Sequence, residues 1–258
     1  MEVKNKSDFT FFLGTHIPSH TKKTNVPVFI SRRTLCKRKS PLQTNGIWAV
    51  DSGGFSELNL YGRWTIDEEQ YVEELKLFNR AEGLQWAAQM DWMCEPWILE
   101  KTGLTVQDHQ RKTVRNFQKL RSMECPVHII PVLQGWNVDE YVEHVFMFRE
   151  VGFDLRNEPL VGIGSVCRRQ GTAEIESIVK RIHEMGIDLH GFGVKSAGLG
   201  RYCKFLKSAD SLAWSYGARY GNGRCSDTSH HHTSKNCANC LTYALEWRDK
   251  ILKNMVVQ

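Results

Sequence analysis

The stretch IWAVDSGGF, residues 47–55, carries the pattern that decides the fold: a short continuous apolar run, then an aspartate, then two glycines. Continuous rather than alternating apolar residues are typical of parallel strands that are covered on both faces. Seven further runs have the same character, and most of them lead into a helical pattern. The eight runs, each predicted to hold a strand, cover residues 9–14, 26–31, 47–51, 86–91, 128–134, 160–164, 190–194 and 210–215.

Helical patterns alternate with the later runs. TIDE at residues 65–68 has the pattern of a capping box and predicts a helix that reaches about residue 82. TVQD at residues 105–108 predicts the start of another helix, which reaches about residue 123. Further helices are predicted at residues 137–151, 172–185, 198–207 and 241–255. This alternation indicates an α/β fold, and about eight strands indicate a (β/α)8 barrel of the TIM type. An open doubly wound sheet is the alternative, but no GxGxxG or phosphate-loop lysine motif supports its nucleotide-binding versions.

Length and composition restrict the class of protein. The chain has 258 residues, of which 41% are hydrophobic and 24% charged, so a disordered chain, a collagen and a disulfide miniprotein are excluded. We expect one barrel domain over residues 1–258. The N-terminus has no apolar stretch after a basic start, and no run of about 18 apolar residues occurs, so a cytoplasmic location without a membrane span is predicted. The net charge of +5 is compatible with a polyanionic partner.

Polar residues and glycines follow the predicted strands, where a barrel places its active site. Asp51, Asp91 and Asp210 would bring three carboxylates to one mouth, and Gln134 would add an amide. Carboxylates accept from ring N–H and amino groups while a glutamine donates to a carbonyl oxygen, which suits a guanine-like edge. Phe55 and Phe192 could stack on such a base. Any one aspartate taken alone is better explained as a helix cap or a turn residue.

Four segments of the chain, in order, resemble segments of the tRNA-guanine transglycosylases. The similarity extends from about residue 47 to the C-terminus and lies in DSGGF at residues 51–55, Gln134-Gly135, residues 162–166 and Phe192-Gly193-Val194. It implies that Asp210 takes the place of the nucleophilic aspartate of that family and Asp91 that of the aspartate that reads the base.

Other segments depart from the tRNA enzymes. Trp136 and Lys195 stand where small residues are usual, and SLAW at residues 211–214 replaces the usual Phe-Asp-Cys after the nucleophile. These departures resemble the deazapurine DNA-modification branch of the superfamily, the DpdA-like proteins of phages and bacterial genomic islands. The segments similar to that branch are HGFGVK at residues 190–195, CANC at residues 237–240 and ALEWR at residues 244–248.

The resemblance implies a pentosyltransferase that replaces guanine in DNA with 7-cyano-7-deazaguanine or a similar 7-deazaguanine base. Asp210 would form a covalent intermediate with the nucleic acid, and Asp51 would act as acid and base. A queuine-type tRNA-guanine transglycosylase and a non-catalytic, zinc-stabilised nucleic-acid-binding protein are the alternatives. The residues expected to bind substrate are Ser52, Phe55, Asp91, Gln134, Gly162, Ile163, Gly164, Phe192, Gly193 and Lys195.

Three of the eight cysteines lie within sixteen residues together with three consecutive histidines. A Cys-x2-Cys pair is the usual half of a tetrahedral zinc site, and free thiols beside a His-rich loop are the alternative. The transglycosylases carry a Cys3His zinc, so the resemblance implies Cys225, His232, Cys237 and Cys240 as ligands, although spacing does not separate His232 from His230 and His231. Four protein ligands close the coordination sphere, which predicts a structural zinc in a segment over residues 217–241.

Basic residues follow several strands and are expected to contact phosphates. They comprise the stretch at residues 31–39 together with Arg168, Arg169, Lys195, Arg201, Arg219 and Arg224. A base inside a duplex must leave its stack to be reached, and Trp136, Trp214 and Tyr216 are candidates for the wedge that fills the gap. The expected partners are DNA in preference to tRNA and a small deazaguanine base, with a helper protein or a homodimer left open. For a phage-encoded protein the location would be the host cell cytoplasm.

Overall fold

The apolar runs form the strands of a parallel barrel. The computed structural model describes residues 9–38, 40–166, 169, 172–231 and 235–256. In these residues each of the eight runs overlaps a strand, and the run at residues 128–134 holds two. The strands are β1 (Thr10–Gly14), β2 (Val28–Ser31), β3 (Trp48–Asp51), β4 (Leu84–Ala88), β5 (Ile129–Ile130), β6 (Val132–Leu133), β7 (Val161–Ile163), β8 (Leu189–Gly191) and β9 (Ser208–Ser211).

The strand order shows that the sheet closes on itself. It runs β5-β4-β3-β2-β1-β9-β8-β7-β6, with every pair parallel. Only Pro131, which has no N–H to donate, separates β5 from β6. Because β5 pairs with β4 and β6 pairs with β7, these two pieces of one stretch join the ends of the sheet. The predicted (β/α)8 TIM-type barrel is therefore confirmed.

Helices follow the strands and cover the outside of the barrel. Their apolar faces pack on the outward side chains of the strands in two large clusters, one built around β6 to β9 and the other around β2 to β4. The helices are α1 (Arg32–Leu35), α2 (Gly54–Tyr61), α3 (Glu68–Phe78), α4 (Pro96–Thr102), α5 (Val106–Ser122), α6 (Val138–Glu150), α7 (Ala173–Glu184), α8 (Ser196–Tyr202), α9 (Ala213–Tyr220) and α10 (Leu241–Val256).

The caps of the helices test the sequence-based boundaries. Helix α5 begins where the sequence predicts, and Thr105 and Asp108 form a capping box there, in which their side chains exchange hydrogen bonds with each other's backbone N–H. The box predicted at Thr65 is wrong: Asp67 caps α3, while the Thr65 backbone and hydroxyl both donate to Glu57. The buried Glu57 carboxylate therefore holds Thr65 outside the helix.

Two short helices lie where the sequence predicts other structure. The run at residues 210–215 remains a strand only to Ser211, and α9 begins at Ala213, so Trp214 is helical and wholly buried. Helix α2 begins directly after Gly53, whose positive φ of 85° makes the turn out of β3. Both elements have only eight residues, which is too short for a clear helical period.

Aromatic rings fill the inside of the barrel. Trp86 lies with its ring centroid 4.7 Å from that of His190 and 5.4 Å from that of Phe29, and Phe12 lies 5.6 Å from Trp86. These four side chains are buried. A barrel interior packed in this way leaves no channel, so chemistry is restricted to the mouth at the carboxyl ends of the strands.

Candidate active site

The mouth brings together the three aspartates that the sequence places at strand ends. Asp51 ends β3, Asp210 lies in β9, and Asp91 follows β4 by three residues. Gln134 follows β6 directly and donates from its amide Nε2 to the Asp91 carboxylate. The negative charge of Asp51 acts on Asp91, and that of Asp210 acts on Asp51. Three carboxylates and one amide therefore share a single electrostatic environment.

Asp210 accepts one hydrogen bond from the turn after β8 and has a histidine of β8 close by. The backbone N–H of Gly193 donates to Asp210 Oδ1 over 2.8 Å, and His190 Nε2 lies 3.4 Å from the same oxygen. His190 Nδ1 lies 2.8 Å from the Ser208 hydroxyl, which fixes the ring. Burial lowers the pKa of His190 below its usual value, so the ring is neutral near pH 7. Oδ1 is thus the carboxylate oxygen that both groups approach.

Asp51 lies in an environment that favours its protonated form. Burial raises the pKa of Asp51 to about 6, the charge of Asp210 adds to the rise, and hydrogen bonds from Gly53 N–H and the Ser31 hydroxyl oppose it. A carboxyl with a pKa of about 6 exchanges protons readily near neutral pH. Ser52 beside it is fully buried, and its Oγ has no hydrogen-bond partner among the described residues.

Asp91 is buried, whereas an aspartate that only shaped a surface turn would be exposed. Burial raises the pKa of Asp91 to about 7, the charge of Asp51 raises it further, and the hydrogen bond from Gln134 works in the opposite direction. The Gln134 backbone is fixed on both sides, because its N–H donates to His144 Nδ1 and its carbonyl accepts from Gln110. Asp91 and Gln134 form a rigid pair of acceptor and donor groups.

Gly162 in β7 and Gly164 directly after it permit close contacts at the mouth. A Cβ on Gly162 would collide with the Phe192 ring, and a Cβ on Gly164 would collide with the Gln134 amide. Ile163 between them points its side chain into the outer core, so only its backbone faces the barrel interior. The glycines therefore fix where the Phe192 ring and the Gln134 amide lie.

The remaining predicted substrate residues lie on the rim. Phe55 is the second residue of α2, and 40% of its surface is exposed. Phe192 is half-buried against Phe29 and His190. Lys195 is exposed at the start of α8. These positions are compatible with base stacking and with contact to a nucleic acid backbone.

The basic surface is smaller than the sequence suggests. Arg32 is buried because its guanidinium pairs with Glu57 and Glu74, so the expectation that it meets phosphate is wrong. Arg33 also pairs with Glu57 but remains partly exposed. Lys39 and Arg168 lie outside the described residues. Of the basic residues that the sequence singled out, those exposed in the described part of the chain are Lys37, Arg38, Lys195, Arg201, Arg219 and Arg224.

The three wedge candidates have different surroundings. Trp214 is wholly buried and donates to the Gly14 carbonyl, so it is a core residue. The Arg169 guanidinium lies 3.8 Å from the centre of the Trp136 ring. Tyr216 is 66% exposed and lies 4.5 Å, centre to centre, from the ring of Tyr220.

A cluster of cysteines and histidines follows α9. The ligand atoms of Cys225, His230, His231 and Cys237 all lie within 4.8 Å of one another, and both cysteines are buried. Cys240 Sγ lies 3.7 Å from Cys225 Sγ, at the edge of this group. His232 lies outside the described residues. The cluster could hold a metal ion, and it includes two of the four predicted ligands with a third beside them.

The distances within the cluster fit a tetrahedral metal. A zinc ion with bonds of about 2.3 Å to sulfur and about 2.1 Å to nitrogen separates two sulfurs by about 3.8 Å and a sulfur from a nitrogen by about 3.6 Å. The sulfurs of Cys225 and Cys237 lie 3.7 Å apart, and His230 Nε2 lies 3.7 Å and 3.4 Å from them. His231 Nε2 lies 3.8 Å from each sulfur. The donor atoms are therefore spaced as the corners of one coordination sphere.

The fold is a parallel barrel with three aspartates at its mouth and a cysteine and histidine cluster after the last strand. This is the architecture of the tRNA-guanine transglycosylase superfamily. Within that class, a family model described as DpdA: DeoxyPurine in DNA protein A matches residues 7–257, and the chain belongs to this family. Membership implies a role in deazapurine modification of DNA and transglycosylase-type chemistry. No curated protein matches the chain.

Two residues of the mouth have contacts that the sequence did not predict. Ser165 lies in the segment at residues 162–166 and His190 in that at residues 190–195. Their spacing along the chain does not indicate a contact with Gln134 or with Asp210. His190 is separated from Asp210 by 20 positions and Ser165 from Gln134 by 31, and each pair meets because neighbouring parallel strands, β8 with β9 and β6 with β7, lie side by side. A polar residue within an otherwise apolar or glycine-rich strand end was the available signal.

Within the described residues, no helix combines the length and the apolar character needed to cross a membrane.

Proposed function

We propose that this chain exchanges guanine in DNA for a 7-deazaguanine base, 7-cyano-7-deazaguanine or a close relative, through a covalent intermediate on Asp210. The arrangement of Asp210 and Asp51 is the observation that carries the proposal. One carboxylate is fixed through Oδ1 by Gly193, whereas the other has its pKa raised to about 6 and lies within its electrostatic reach. Such a pair separates the role of nucleophile from that of acid and base.

The reaction divides into two displacements at the same carbon. In the first, the Asp210 carboxylate attacks C1′ of the target deoxyguanosine, the bond from C1′ to N9 breaks, and guanine leaves with a proton from the Asp51 carboxyl. In the second, the Asp51 carboxylate takes the N9 proton of the incoming base, whose N9 then attacks C1′ and releases Asp210. One proton is given and one is taken, so Asp51 ends as it began.

Asp91 and Gln134 select the base. An ionised Asp91 accepts from the ring N–H and the exocyclic amino group, and Gln134 donates to the carbonyl oxygen. The backbone of residues 162–164 would help to hold the base, and Phe55 and Phe192 would flank the base. Guanine and 7-deazaguanines share this polar edge, so one pocket can serve the leaving and the incoming base.

The test is base incorporation into defined nucleic acids. Wild-type protein is incubated with 7-cyano-7-deazaguanine and with either DNA or tRNA, and the nucleosides released by digestion are identified by mass spectrometry. We expect the modified nucleoside in DNA and a DNA–protein adduct that resists denaturation, both absent in Asp210→Asn. Incorporation into tRNA alone would favour the queuine-type alternative, and binding without incorporation into either would favour a non-catalytic protein.

We further propose that the cysteine and histidine cluster holds a structural zinc inside the single barrel domain. Cys225 and Cys237 would be ligands, and His230, His231 or Cys240 would fill the remaining positions. His232, the histidine predicted from the sequence, lies outside the described residues. Four protein ligands leave no position for a catalytic water, so bound zinc would supply cross-linking and no chemistry at C1′. It would tie the segment at residues 217–241 to the start of α10, beside the end of β9.

A further inference from the structure

A polar network behind Gln134 centres on Ser165. The Ser165 hydroxyl lies 2.6 Å from Gln134 Oε1 and 2.8 Å from Glu95 Oε2, and it accepts from the backbone N–H of Cys94 over 2.8 Å. Ser165 and Glu95 are buried, with 2% and 4% of their surfaces exposed. The network thus joins the turn after β7 to the segment before α4 and to the end of β6.

The backbone at Ser165 adopts a conformation that favours glycine. Its φ is +54°, in the left-handed region, which costs a serine about 1 kcal/mol relative to glycine. Two glycines already occupy this turn region at Gly162 and Gly164. A serine held in the strained position is therefore explained by what its hydroxyl contacts and not by the shape of the backbone.

The network leaves Gln134 with a single orientation of its amide. The single hydroxyl hydrogen of Ser165 lies between Gln134 Oε1, the nearer acceptor at 2.6 Å, and Glu95 Oε2 at 2.8 Å, and one Nε2 hydrogen of Gln134 donates to Asp91. Rotation of the amide by half a turn would place Oε1 against the Asp91 carboxylate, where two acceptors repel, and would remove the acceptor from Ser165. The lack of a side chain on Gly164 leaves the space that the Gln134 amide occupies. One Nε2 hydrogen remains to donate to a ligand.

We propose that Ser165 is a positioning residue that fixes the amide orientation of Gln134 and thereby makes the mouth select purines with a carbonyl at C6 over purines with an amino group there. The inference rests on the proposed function, because it assigns the origin of selectivity at the same base pocket. Without the hydroxyl, Gln134 could rotate when Asp91 is protonated or displaced, and Oε1 could then accept from a 6-amino group.

The test uses guanine and 2,6-diaminopurine, which differ in hydrogen-bonding character at C6 and at the adjacent ring nitrogen. Their dissociation constants are measured by calorimetry for wild type, Ser165→Ala and Ser165→Gly. We expect wild type to prefer guanine by about 100-fold or more, and both variants to reduce that ratio to less than about 10-fold. The glycine variant relieves the backbone strain while the alanine variant keeps it, so a shared effect comes from the hydroxyl. Ser177→Ala, an exposed hydroxyl on α7, is the matched control and should keep the wild-type ratio.

A second readout does not depend on any ligand. Hydrogen exchange of the Gln134 side-chain amide, assigned from its loss in Gln134→Glu, should be slow in wild type and at least about tenfold faster in both Ser165 variants. Unchanged exchange and an unchanged base ratio in folded variants would overturn the proposal. Slow exchange that is lost in the variants, in a protein that binds no purine at all, would uphold the positioning role of Ser165 and refute base exchange.

Discussion

At the scale of single residues, the mouth depends on carboxylates whose charge is costly in the folded chain. Asp51 and Asp91 both have a raised pKa, and burial is the main cause in each case. A buried carboxylate that works against desolvation is typical of a functional site, because a structural role would be met by a neutral side chain. Their protonation should therefore be visible in both binding and stability.

The pH dependence of base binding tests the role of Asp91. In the proposed role the ionised carboxylate would accept two hydrogen bonds from guanine, whereas the protonated group would offer a hydrogen to a donor edge. Since the pKa of Asp91 is about 7, affinity for free guanine should rise between pH 5.5 and 8 and level off above that. Calorimetry across this range measures it. A flat profile, or the same rise in Asp91→Asn, would refute the assignment.

The same group predicts an effect on stability with the opposite sign. A folded pKa of about 7 exceeds the unfolded value, so between about pH 4 and pH 7 the folded state binds more protons, and the free energy of unfolding falls as pH rises. Asp91→Asn removes this penalty, up to about 4 kcal/mol above pH 7. We expect a higher melting temperature at pH 8 and a shrinking difference toward pH 5.

Asp154→Asn supplies the control for that measurement. Hydrogen bonds from Arg156 lower the pKa of Asp154 to about 2, so its carboxylate stabilises the fold at neutral pH. This variant should be no more stable than wild type at pH 8. If both variants shifted the melting temperature in the same direction, the raised pKa of Asp91 would not be the cause.

At the scale of secondary structure elements, β7 is the strand that shapes the pocket. Gly162 within it and Gly164 directly after it accept the Phe192 ring and the Gln134 amide as close neighbours. The strand contributes its backbone to the mouth while its side chains support the outer core. A methyl group added at these points changes the pocket without removing any polar group.

Gly164→Ala tests this role of the strand. The new methyl group must displace the Gln134 amide, so we expect guanine affinity to fall by about 100-fold or more while the barrel remains folded. Gly217→Ala is the matched control, because a Cβ there meets nothing within 4 Å and the residue lies in α9. Circular dichroism and calorimetry report both results. Equal affinity of Gly164→Ala and wild type would contradict the packing of Gln134 on β7.

At the scale of the whole molecule, the cysteine cluster connects the last strand region to the last helix. Cys225 follows α9, and Cys237 and Cys240 precede α10, so a bound ion would fix the chain between them. The fold elsewhere in the described residues relies on buried apolar clusters. A metal is therefore expected to stabilise one segment and not to create the barrel.

Removal of the metal should lower stability and leave the barrel folded. We expect one zinc per chain by elemental analysis, and a melting temperature lower by roughly 10 °C after chelation or in Cys225→Ser, as the loss of a few kcal/mol implies. Cys36→Ser is the control, since Cys36 is an exposed free thiol distant in sequence from the cluster. The proposed zinc site would be contradicted if the purified chain contained no metal and a chelator left its melting temperature unchanged.

The sequence by itself determined the parallel barrel and the order of its strand-end residues. Strands covered on both faces must be continuously apolar, and the residue after each strand must turn, so both features are local. It placed Asp51, Asp91, Gln134 and Asp210 at one mouth for the same reason. Short helices such as α2 and α9 were missed because eight residues carry too little periodicity.

Only the tertiary structure decided which groups meet and in which protonation state. Contacts such as Ser165 with Gln134 and His190 with Asp210 join residues brought together by the pairing of parallel strands that are distant in sequence, and no local pattern encodes them. Burial depends on the packing of all neighbours. The sequence alone therefore could not predict the raised pKa of Asp91 or the burial of Arg32 in ion pairs with glutamates. Side-chain identity is local, whereas desolvation and pairing are properties of the folded whole.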